Sequence, residues 1–177
     1  MKKRTFLKAL VGVVAVPTAT LGYQTLLAGN STNANSAGNA TPATGDNLLE
    51  KIELTEAEWK ARLTPAQYRV LRKDGTERPF SSPLNDEKRD GTYACAGCDL
   101  PLFTSDKKYD SGTGWPSFFE AIPDHVGTST DYKLILPRTE YHCARCGGHQ
   151  GHVFKDGPQP TGLRYCNNGV ALVFHSA

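Results

Sequence analysis

The chain has 177 residues, which is enough for one ordinary domain and short for two. It contains 20 Lys and Arg against 18 Asp and Glu, but every charge before residue 46 is basic, so residues 46–177 carry a small negative net charge. No cluster of Lys and Arg interleaved with aromatic residues follows. This pattern argues against a nucleic-acid partner.

The first 27 residues have the layout of an export signal. Lys and Arg cluster in residues 2–8, and the stretch Leu10–Leu27 is mostly apolar. The run KRTFLK at residues 3–8 resembles a twin-arginine signal, with Lys3 in place of the first arginine. We therefore expect residues 1–27 to be a signal peptide and the protein to be exported to the periplasm. The alternative is an uncleaved leader that anchors the chain to the membrane, since about 17–25 apolar residues can span a bilayer.

Residues 28–47 change in composition to Gly, Ala, Ser, Thr, Asn and Pro, with Asp46 as the single charge. Such a segment cannot bury enough apolar surface to offset the entropy lost on ordering. We expect a flexible linker over residues 28–47 and one folded domain over residues 48–177.

Two short helices should open this domain. A capping box at Thr55 and Glu58 begins a helix that should run to about Leu63. A second cap, with Pro65 at the first helical position, begins a helix that should end near Arg72.

After these helices, short β-favouring runs alternate with Gly, Pro, Asn and Asp. The predicted strands are Gly91–Cys95, Leu102–Thr104, Phe118–Ile122, Lys133–Leu136, Thr139–Cys143, His152–Phe154, Leu163–Cys166 and Val170–His175. Many short strands joined by turns predict a mainly β domain of antiparallel β-sheets, with the small helices at its front.

Four of the five cysteines form two C-x-x-C pairs. The pairs are Cys95 with Cys98 and Cys143 with Cys146. Two such pairs supply the four thiolates of a closed tetrahedral zinc site, which leaves no position for water or substrate and implies a structural Zn²⁺. Two disulfides would also fit an oxidising compartment. Redox-active dithiols normally sit at a helix N-terminus beside a βαβ pattern, and neither pair has that setting.

The fifth cysteine, Cys166, stands alone. A cysteine becomes a nucleophile when positive charge or hydrogen bonds lower the pKa of its thiol. Arg164 and Asn168 lie two residues before and after it, on the same face of a strand. By itself, however, a lone cysteine before an apolar strand is more often a small buried hydrophobic residue.

Two further clusters offer Cys166 partners. His149 and His152 follow the second C-x-x-C pair, and histidine is the side chain best suited to passing protons near neutral pH. A surface turn or a second metal site is the alternative for this pair. The run SGTGWPSF at residues 111–118 can present Trp115 as one wall of an apolar pocket, although ordinary core packing would also explain Trp115.

Together these stretches resemble the methionine-R-sulfoxide reductases, the MsrB family, from about Leu48 to the C-terminus. The motifs that carry the resemblance are YRVLR at 68–72, GTE at 75–77 followed by PFS at 79–81, both C-x-x-C pairs, SGTGWPSF at 111–118, GHQGHVF at 148–154, DGP at 156–158 and RYCNN at 164–168 with Ala171-Leu172. This family is all-β with a structural zinc ion, and it reduces methionine sulfoxide in proteins.

The resemblance implies a role for each candidate residue. The implied catalytic residues are Cys166 as the nucleophile, with His152, His149 and Asn168 lining the site. Trp115 is expected to pack against the methyl group of the substrate, and we expect Phe118, at the end of the same loop, to contact the substrate as well.

The chain departs from the family pattern at three positions. Many relatives have a cysteine at the position of Thr113, where it resolves the oxidised nucleophile as a disulfide. With four cysteines committed to zinc, no internal thiol remains, so we expect a thioredoxin-like protein or a small thiol to be the reductant. Gln150 and Gly169 replace a common Leu and a common Ser, and we expect both at the rim of the site.

Two other functions would use the same residues. A zinc-knuckle binding module would place the clusters along a ligand groove, and a single-cysteine peroxidase or redox sensor would reduce peroxide and ignore sulfoxides. The lone thiol two residues before Asn168 and the histidine pair disfavour the binding module, and an assay with methionine sulfoxides separates the reductase from the peroxidase or sensor.

Overall fold

The computed structural model describes residues 49–133 and 136–177. The predicted signal peptide at residues 1–27 and the predicted linker at residues 28–47 lie outside the described residues. Within the described ranges, no helix has the length and apolar character needed to cross a membrane.

The two predicted helices are present. Helix α1 spans Glu56–Arg62 and helix α2 spans Pro65–Lys73, and each begins with a complete capping box, with Thr55 and Thr64 as the N-cap residues. Because these caps are local signals, their positions follow directly from the sequence. The buried side chain of Trp59 fixes α1 to the rest of the domain.

The remainder of the described chain forms two antiparallel sheets. The strands are β1 (Gly91–Cys95), β2 (Pro101–Thr104), β3 (Lys108–Tyr109), β4 (Ser117–Phe118), β5 (Val126–Asp131), β6 (Arg138–Cys143), β7 (His149–Phe154), β8 (Arg164–Asn167) and β9 (Leu172–Ser176). The smaller sheet has the order β2-β1-β9, and the larger has the order β3-β4-β8-β7-β6-β5. The predicted mainly β, antiparallel fold is confirmed.

Several strand assignments differ from the sequence prediction. The predicted strand Phe118–Ile122 contributes only its first residue to β4, and β3 and β5 were not predicted. Strand β5 lies at the edge of the larger sheet, and its central residues are exposed and polar, so it lacks an apolar signal. Residues 134 and 135 of the predicted strand Lys133–Leu136 lie outside the described residues, and the residues at its two ends are in bends.

An aromatic core covers one face of the larger sheet. Phe118 stacks on Phe103 with ring centroids 4.1 Å apart, and Tyr93 meets Phe118 edge-on at 4.9 Å. Tyr165 packs against Tyr141 at 5.2 Å. Because Phe118 lies directly opposite Tyr165 in the sheet, both side chains project to this same face. The residues that alternate with them along β4 and β8 must therefore project to the other face.

Candidate active site and metal centre

A row of polar side chains crosses the face of the larger sheet that lies away from the aromatic core. Cys166 on β8 lies directly opposite Ser117 on β4 and His152 on β7, and His152 lies opposite Glu140 on β6. Directly opposite residues in antiparallel strands have neighbouring Cβ atoms on one face. The sheet therefore places the Cys166 thiol between a hydroxyl group and an imidazole.

Cys166 opens into a small cleft of about 140 Å³. Its lining includes Trp115, Arg138, His152, Phe154, Cys166 and Asn168. Strand β7 approaches closely beside the nucleophile, since a Cβ atom on Gly151 would lie 1.9 Å from the carbonyl oxygen of Cys166. Only glycine permits this contact. The cleft therefore combines two aromatic walls with a thiol, an imidazole and a guanidinium group.

The Cys166 thiol experiences opposing influences. Burial raises the pKa of this thiol, whereas the positive charge of Arg164 and a hydrogen bond from the Thr113 side chain lower it. Arg164 is held in place by a bidentate ion pair with Asp156, at 2.8 and 2.7 Å, and its guanidinium lies 4.3 Å from the ring centroid of Phe154. The net pKa is above the ordinary value of a cysteine, so the thiol form predominates at neutral pH.

His152 is oriented by a carboxylate. Its Nε2 lies 2.8 Å from Oδ2 of Asp131, and Arg138 donates to the same oxygen at 2.6 Å. An ionised carboxylate only accepts hydrogen bonds, so Nε2 carries a proton and Nδ1 is the atom free to gain or lose one. Burial lowers the pKa of His152, and the hydrogen bond to Asp131 opposes that shift.

His149 lies behind this pair rather than in the cleft. Its side chain is 2% exposed, its Nδ1 lies 2.8 Å from Oε1 of Glu140, and its ring centroid is 5.4 Å from that of His152. Burial would raise the pKa of Glu140, but hydrogen bonds from His142, His149 and Ser129 outweigh burial and hold that pKa well below its ordinary value. The structure thus brings His152 to the thiol and places His149 as a buried neighbour of His152.

Asn168 lines the cleft with its amide already engaged. Its Oδ1 accepts a hydrogen bond from the backbone N–H of Glu77 at 3.0 Å, and its Nδ2 donates to the carbonyl of Gln150 at 2.9 Å. The Glu77 carboxylate in turn accepts from the backbone N–H groups of Gly169 and Val170. Asn168 therefore fixes the loop that follows the nucleophile. The sequence offers Glu77 only as part of the GTE motif, because the long-range pairing of its carboxylate with residues 169 and 170 leaves no local signal.

The four cysteines of the two C-x-x-C pairs converge at a second site. Their sulfur atoms all lie within 4.8 Å of one another, with Cys95 and Cys146 at 3.6 Å and Cys98 and Cys143 at 3.4 Å. Sulfur atoms about 2.3 Å from a tetrahedral zinc ion would be about 3.8 Å apart. A disulfide would require about 2.05 Å, so the disulfide alternative does not fit. These buried residues can hold a metal ion.

The described domain is similar in sequence to known proteins. The model of the SelR domain matches residues 63–176. A protein of Agrobacterium fabrum named peptide methionine sulfoxide reductase MsrB is 54% identical over 125 residues, which cover 70% of this chain and 93% of that protein. A protein of the same name from Pseudomonas putida is 56% identical over 127 residues, which cover 71% of this chain and 96% of that protein. The protein of that name in Methanosarcina mazei is 55% identical over 125 residues, covering 70% and 89%.

The chain belongs to the MsrB family of peptide methionine sulfoxide reductases. The family and the enzyme class inferred from the motifs are therefore confirmed. MsrB membership also accounts for the order of the motifs along the chain, because the match covers both C-x-x-C pairs, the SGTGWPSF loop and the segment around the lone cysteine.

One expected substrate contact of this MsrB chain is not in the cleft. Phe118 is 0% exposed and belongs to the aromatic core, because Ser117, the residue before it, is the one that faces Cys166. Phe154, which shares a strand face with His152, lines the cleft in addition to Trp115. Trp115 lines the cleft, and its indole N–H donates to the carbonyl of Glu77 at 3.3 Å.

The two departures expected at the rim of the MsrB site lie elsewhere. Gln150 is fully buried, and its Nε2 donates to Sγ of Cys95 at 3.3 Å. Gly169 packs against Ser82, where an added Cβ atom would lie 1.9 Å from the Ser82 hydroxyl oxygen. Gln150 is not at the rim because side chains alternate between the two faces of a strand. Its side chain projects toward the metal centre, while its carbonyl oxygen accepts a hydrogen bond from Asn168.

Proposed function

We propose that this MsrB protein reduces methionine-R-sulfoxide residues in oxidised proteins, with Cys166 as the nucleophile. The observation that carries this proposal is the position of Cys166 directly opposite His152, in a small cleft with aromatic walls. The assignment of the R epimer rests on the resemblance of the motifs to those of the MsrB family. A cleft that receives the oxygen and the methyl group on different walls would discriminate between epimers, because it fixes a handed arrangement around sulfur.

Substrate binding uses the apolar walls of the cleft. Trp115 and Phe154 offer aromatic faces on which the methyl group of methionine sulfoxide can pack. The sulfoxide oxygen then lies on the polar side, toward His152. Asn168 and Glu77 hold the loop after the nucleophile, so that the cleft keeps its shape when substrate enters.

The chemical step couples the thiol to the imidazole. The thiol proton passes to Nδ1 of His152, which Asp131 supports through Nε2. The Cys166 thiolate then attacks the sulfoxide sulfur, while protonated His152 returns the proton to the sulfoxide oxygen. The S–O bond of the sulfoxide and the new bond between the two sulfur atoms then break as the hydroxyl moves to the Cys166 sulfur. Cys166 is left as a sulfenic acid and methionine leaves, so the enzyme thiol is oxidised by two electrons as the sulfoxide is reduced by two.

The catalytic cycle closes with an external thiol. The chain has five cysteines, and the other four are gathered at the metal centre. A first external thiol condenses with the sulfenic acid to give a mixed disulfide and water, and a second thiol releases Cys166 and leaves as a disulfide. A thioredoxin-like protein or a small thiol supplies both of these external thiols.

The metal at the four cysteines is a structural Zn²⁺. Cys95 ends β1 of the smaller sheet, and Cys143 ends β6 of the larger sheet, so an ion bound by both pairs links the two sheets. Four thiolates would fill the coordination sphere of Zn²⁺ and leave no position for water or substrate, so the ion would stabilise the fold and take no part in the reaction.

The protein acts on exported substrates in the periplasm. The sequence of residues 1–27 supports this location, with a basic start, a mostly apolar stretch and a run similar to a twin-arginine signal. Retention of this leader would instead leave the domain anchored at the membrane. Expression of the full chain, followed by separation of periplasm and membrane, distinguishes the two locations.

The proposed reaction is tested with dabsyl-methionine R- and S-sulfoxides and dithiothreitol. We expect the wild type to turn over the R epimer and Cys166→Ser to lose roughly 10³-fold or more in kcat/KM. Zinc content and unfolding temperature of Cys166→Ser serve as the control for folding. Absence of sulfoxide turnover in the wild type, or peroxide reduction in its place, would show that the proposed reaction is wrong.

A further inference from the structure

Three hydroxyl groups form a continuous row beside the nucleophile. The Oγ atom of Ser111 lies 2.8 Å from Oγ1 of Thr113 and 2.7 Å from Oγ of Ser117. The Ser117 hydroxyl also lies 3.2 Å from the carbonyl oxygen of Trp115. Ser117 is fully buried and directly opposite Cys166, so the row lies inside the wall of the cleft.

The row adjoins Cys166, since Ser117 lies directly opposite it in the sheet and Thr113 lies within hydrogen-bonding reach of its sulfur. Burial raises the pKa of the Cys166 thiol, and the Thr113 hydroxyl is one of the groups that lower it through a side-chain hydrogen bond. The other titratable groups near Cys166 are Arg164, His152 and Tyr109 on its own face of the sheet, Arg138 in the cleft, and Tyr141 in the aromatic core behind it. Arg164 and Arg138 are permanently positive, and each is paired with a carboxylate, Asp156 and Asp131 respectively.

The direction of the hydrogen bonds in the row follows from counting protons. A carbonyl oxygen only accepts, so Ser117 uses its one proton on the Trp115 carbonyl, and the two remaining contacts then require Ser111 to donate to Ser117 and Thr113 to donate to Ser111. When Cys166 is a thiol, its S–H donates a hydrogen bond to the Thr113 hydroxyl, which donates to Ser111. The Ser111 hydroxyl donates to Ser117, which donates to the Trp115 carbonyl. A thiolate only accepts, so the order must then run from Ser117 through Ser111 and Thr113 to the sulfur.

We propose that Ser117, Ser111 and Thr113 form a hydroxyl relay that reverses its direction when Cys166 ionises and thereby stabilises the thiolate. The relay transfers no proton along its length: each O–H bond rotates, and the proton lost by Cys166 goes to water, or to His152 during the reaction. Thr113 is the residue that touches the reacting sulfur. Ser111 and Ser117 are positioning residues that act through Thr113.

This relay gives Thr113 a role of its own at a position where many MsrB relatives have a resolving cysteine. Its hydroxyl supplies a hydrogen bond to a nucleophile that burial would otherwise keep protonated. The inference rests on the proposed role of Cys166 as the nucleophile. It concerns the ionisation of that thiol, which can be measured without any sulfoxide.

The experiment measures the pKa of Cys166 from the pH dependence of its alkylation by iodoacetamide, in the zinc-loaded full chain. Cys166→Ser gives the background from the other cysteines. The informative variants are Thr113→Val, which keeps the shape and removes the hydroxyl, Thr113→Ser, which keeps the hydroxyl, and Ser111→Ala, which breaks the relay behind Thr113. Zinc content and unfolding temperature establish that each variant is folded.

We expect Thr113→Val to raise the pKa of Cys166 by about 1–2 units, because a hydrogen bond to a charged group is lost. Thr113→Ser should remain close to wild type. Ser111→Ala should give a smaller rise, because Thr113 then lacks the donor that frees its own proton for the sulfur. An unchanged pKa in Thr113→Val overturns the proposal, and a wild-type pKa in Ser111→Ala shows that Thr113 acts without a relay.

The two proposals fail in different ways. If the wild type does not reduce sulfoxides but Thr113→Val still raises the alkylation pKa, the proposed function is wrong and the relay stands. If sulfoxide reduction is confirmed and the alkylation pKa is the same in every variant, the relay is wrong and the reductase mechanism stands.

Discussion

Four of the five cysteines point their sulfur atoms at one another, whereas the fifth faces a cleft between an imidazole and a row of hydroxyls. The first group is buried where two sheets meet, and its four thiolates can be held together by one divalent cation. Cys166 is only half-buried, and it has proton-transferring and hydrogen-bonding partners instead of other sulfur atoms. The same side chain is thus structural or reactive according to what surrounds it.

Gln150 connects these two regions. Its side chain donates to the sulfur of Cys95, and its carbonyl oxygen accepts hydrogen bonds from the backbone and the side chain of Asn168. The first contact depends on the identity of residue 150, whereas the second requires only the main chain. Substitutions can therefore disturb the metal centre and the cleft separately.

The largest effect is expected from breaking the metal centre. Cys143→Ser removes one of the four thiolates, and structural zinc binding contributes about 10–16 kcal/mol in small domains, comparable to the whole stability of a typical domain. We expect this variant to lose zinc and soluble folded protein together. Zinc analysis of the purified protein and thermal unfolding provide the measurement.

Cys166→Ser is the matched control for this prediction, because it removes a thiol outside the cluster. It should retain one zinc ion and unfold near the wild-type temperature. A Cys143→Ser variant that is metal-free, fully folded and active would contradict the structural role of the metal.

An intermediate effect is expected at the imidazole of the cleft. Asp131 raises the pKa of His152 against the effect of burial, so Asp131→Asn should lower that pKa further. The reactive pair requires a protonated His152 beside a Cys166 thiolate, and its population falls as the pKa of His152 falls. We expect kcat/KM to decrease by about tenfold, and the lower inflection of its pH profile to move to more acidic pH.

Asp99→Asn offers a control, since Asp99 pairs with His175 at 2.7 Å on the exposed surface. It should leave the profile of kcat/KM against pH unchanged. If Asp131→Asn retains the wild-type lower inflection, then Asp131 does not set the proton affinity of the catalytic imidazole.

The smallest effect is expected from Gln150→Leu, which should disturb the metal centre and leave the cleft unchanged. Loss of the N–H···S hydrogen bond to Cys95 should weaken zinc binding by about tenfold, measured by competition with a chelator. With excess zinc, kcat/KM should stay at the wild-type value, because leucine retains the main-chain carbonyl that holds Asn168. Gln159→Leu, at an exposed glutamine, is the control. Equal zinc affinities in both variants would show that the side chain of Gln150 does not stabilise the metal centre.

Local signals in the sequence were reliable where local physics decides the structure. Both capping boxes formed as predicted, because the bonds join residues three apart. Strand β1 was predicted with correct bounds, because its residues carry an apolar signal of their own. The edge strand β5 was missed, because its polar residues become a strand only by pairing with β6.

The sequence by itself determined the chemistry available to this protein: the spacing of four thiols that can hold a metal, a fifth thiol, two histidines and the motifs of the MsrB family. Only the tertiary structure decided which of these groups meet. Because side chains alternate along a strand, a difference of one residue decides between core and cleft, as it does for Ser117 and Phe118. The strand register gave Cys166 its partners, and no property of a single segment could have done so.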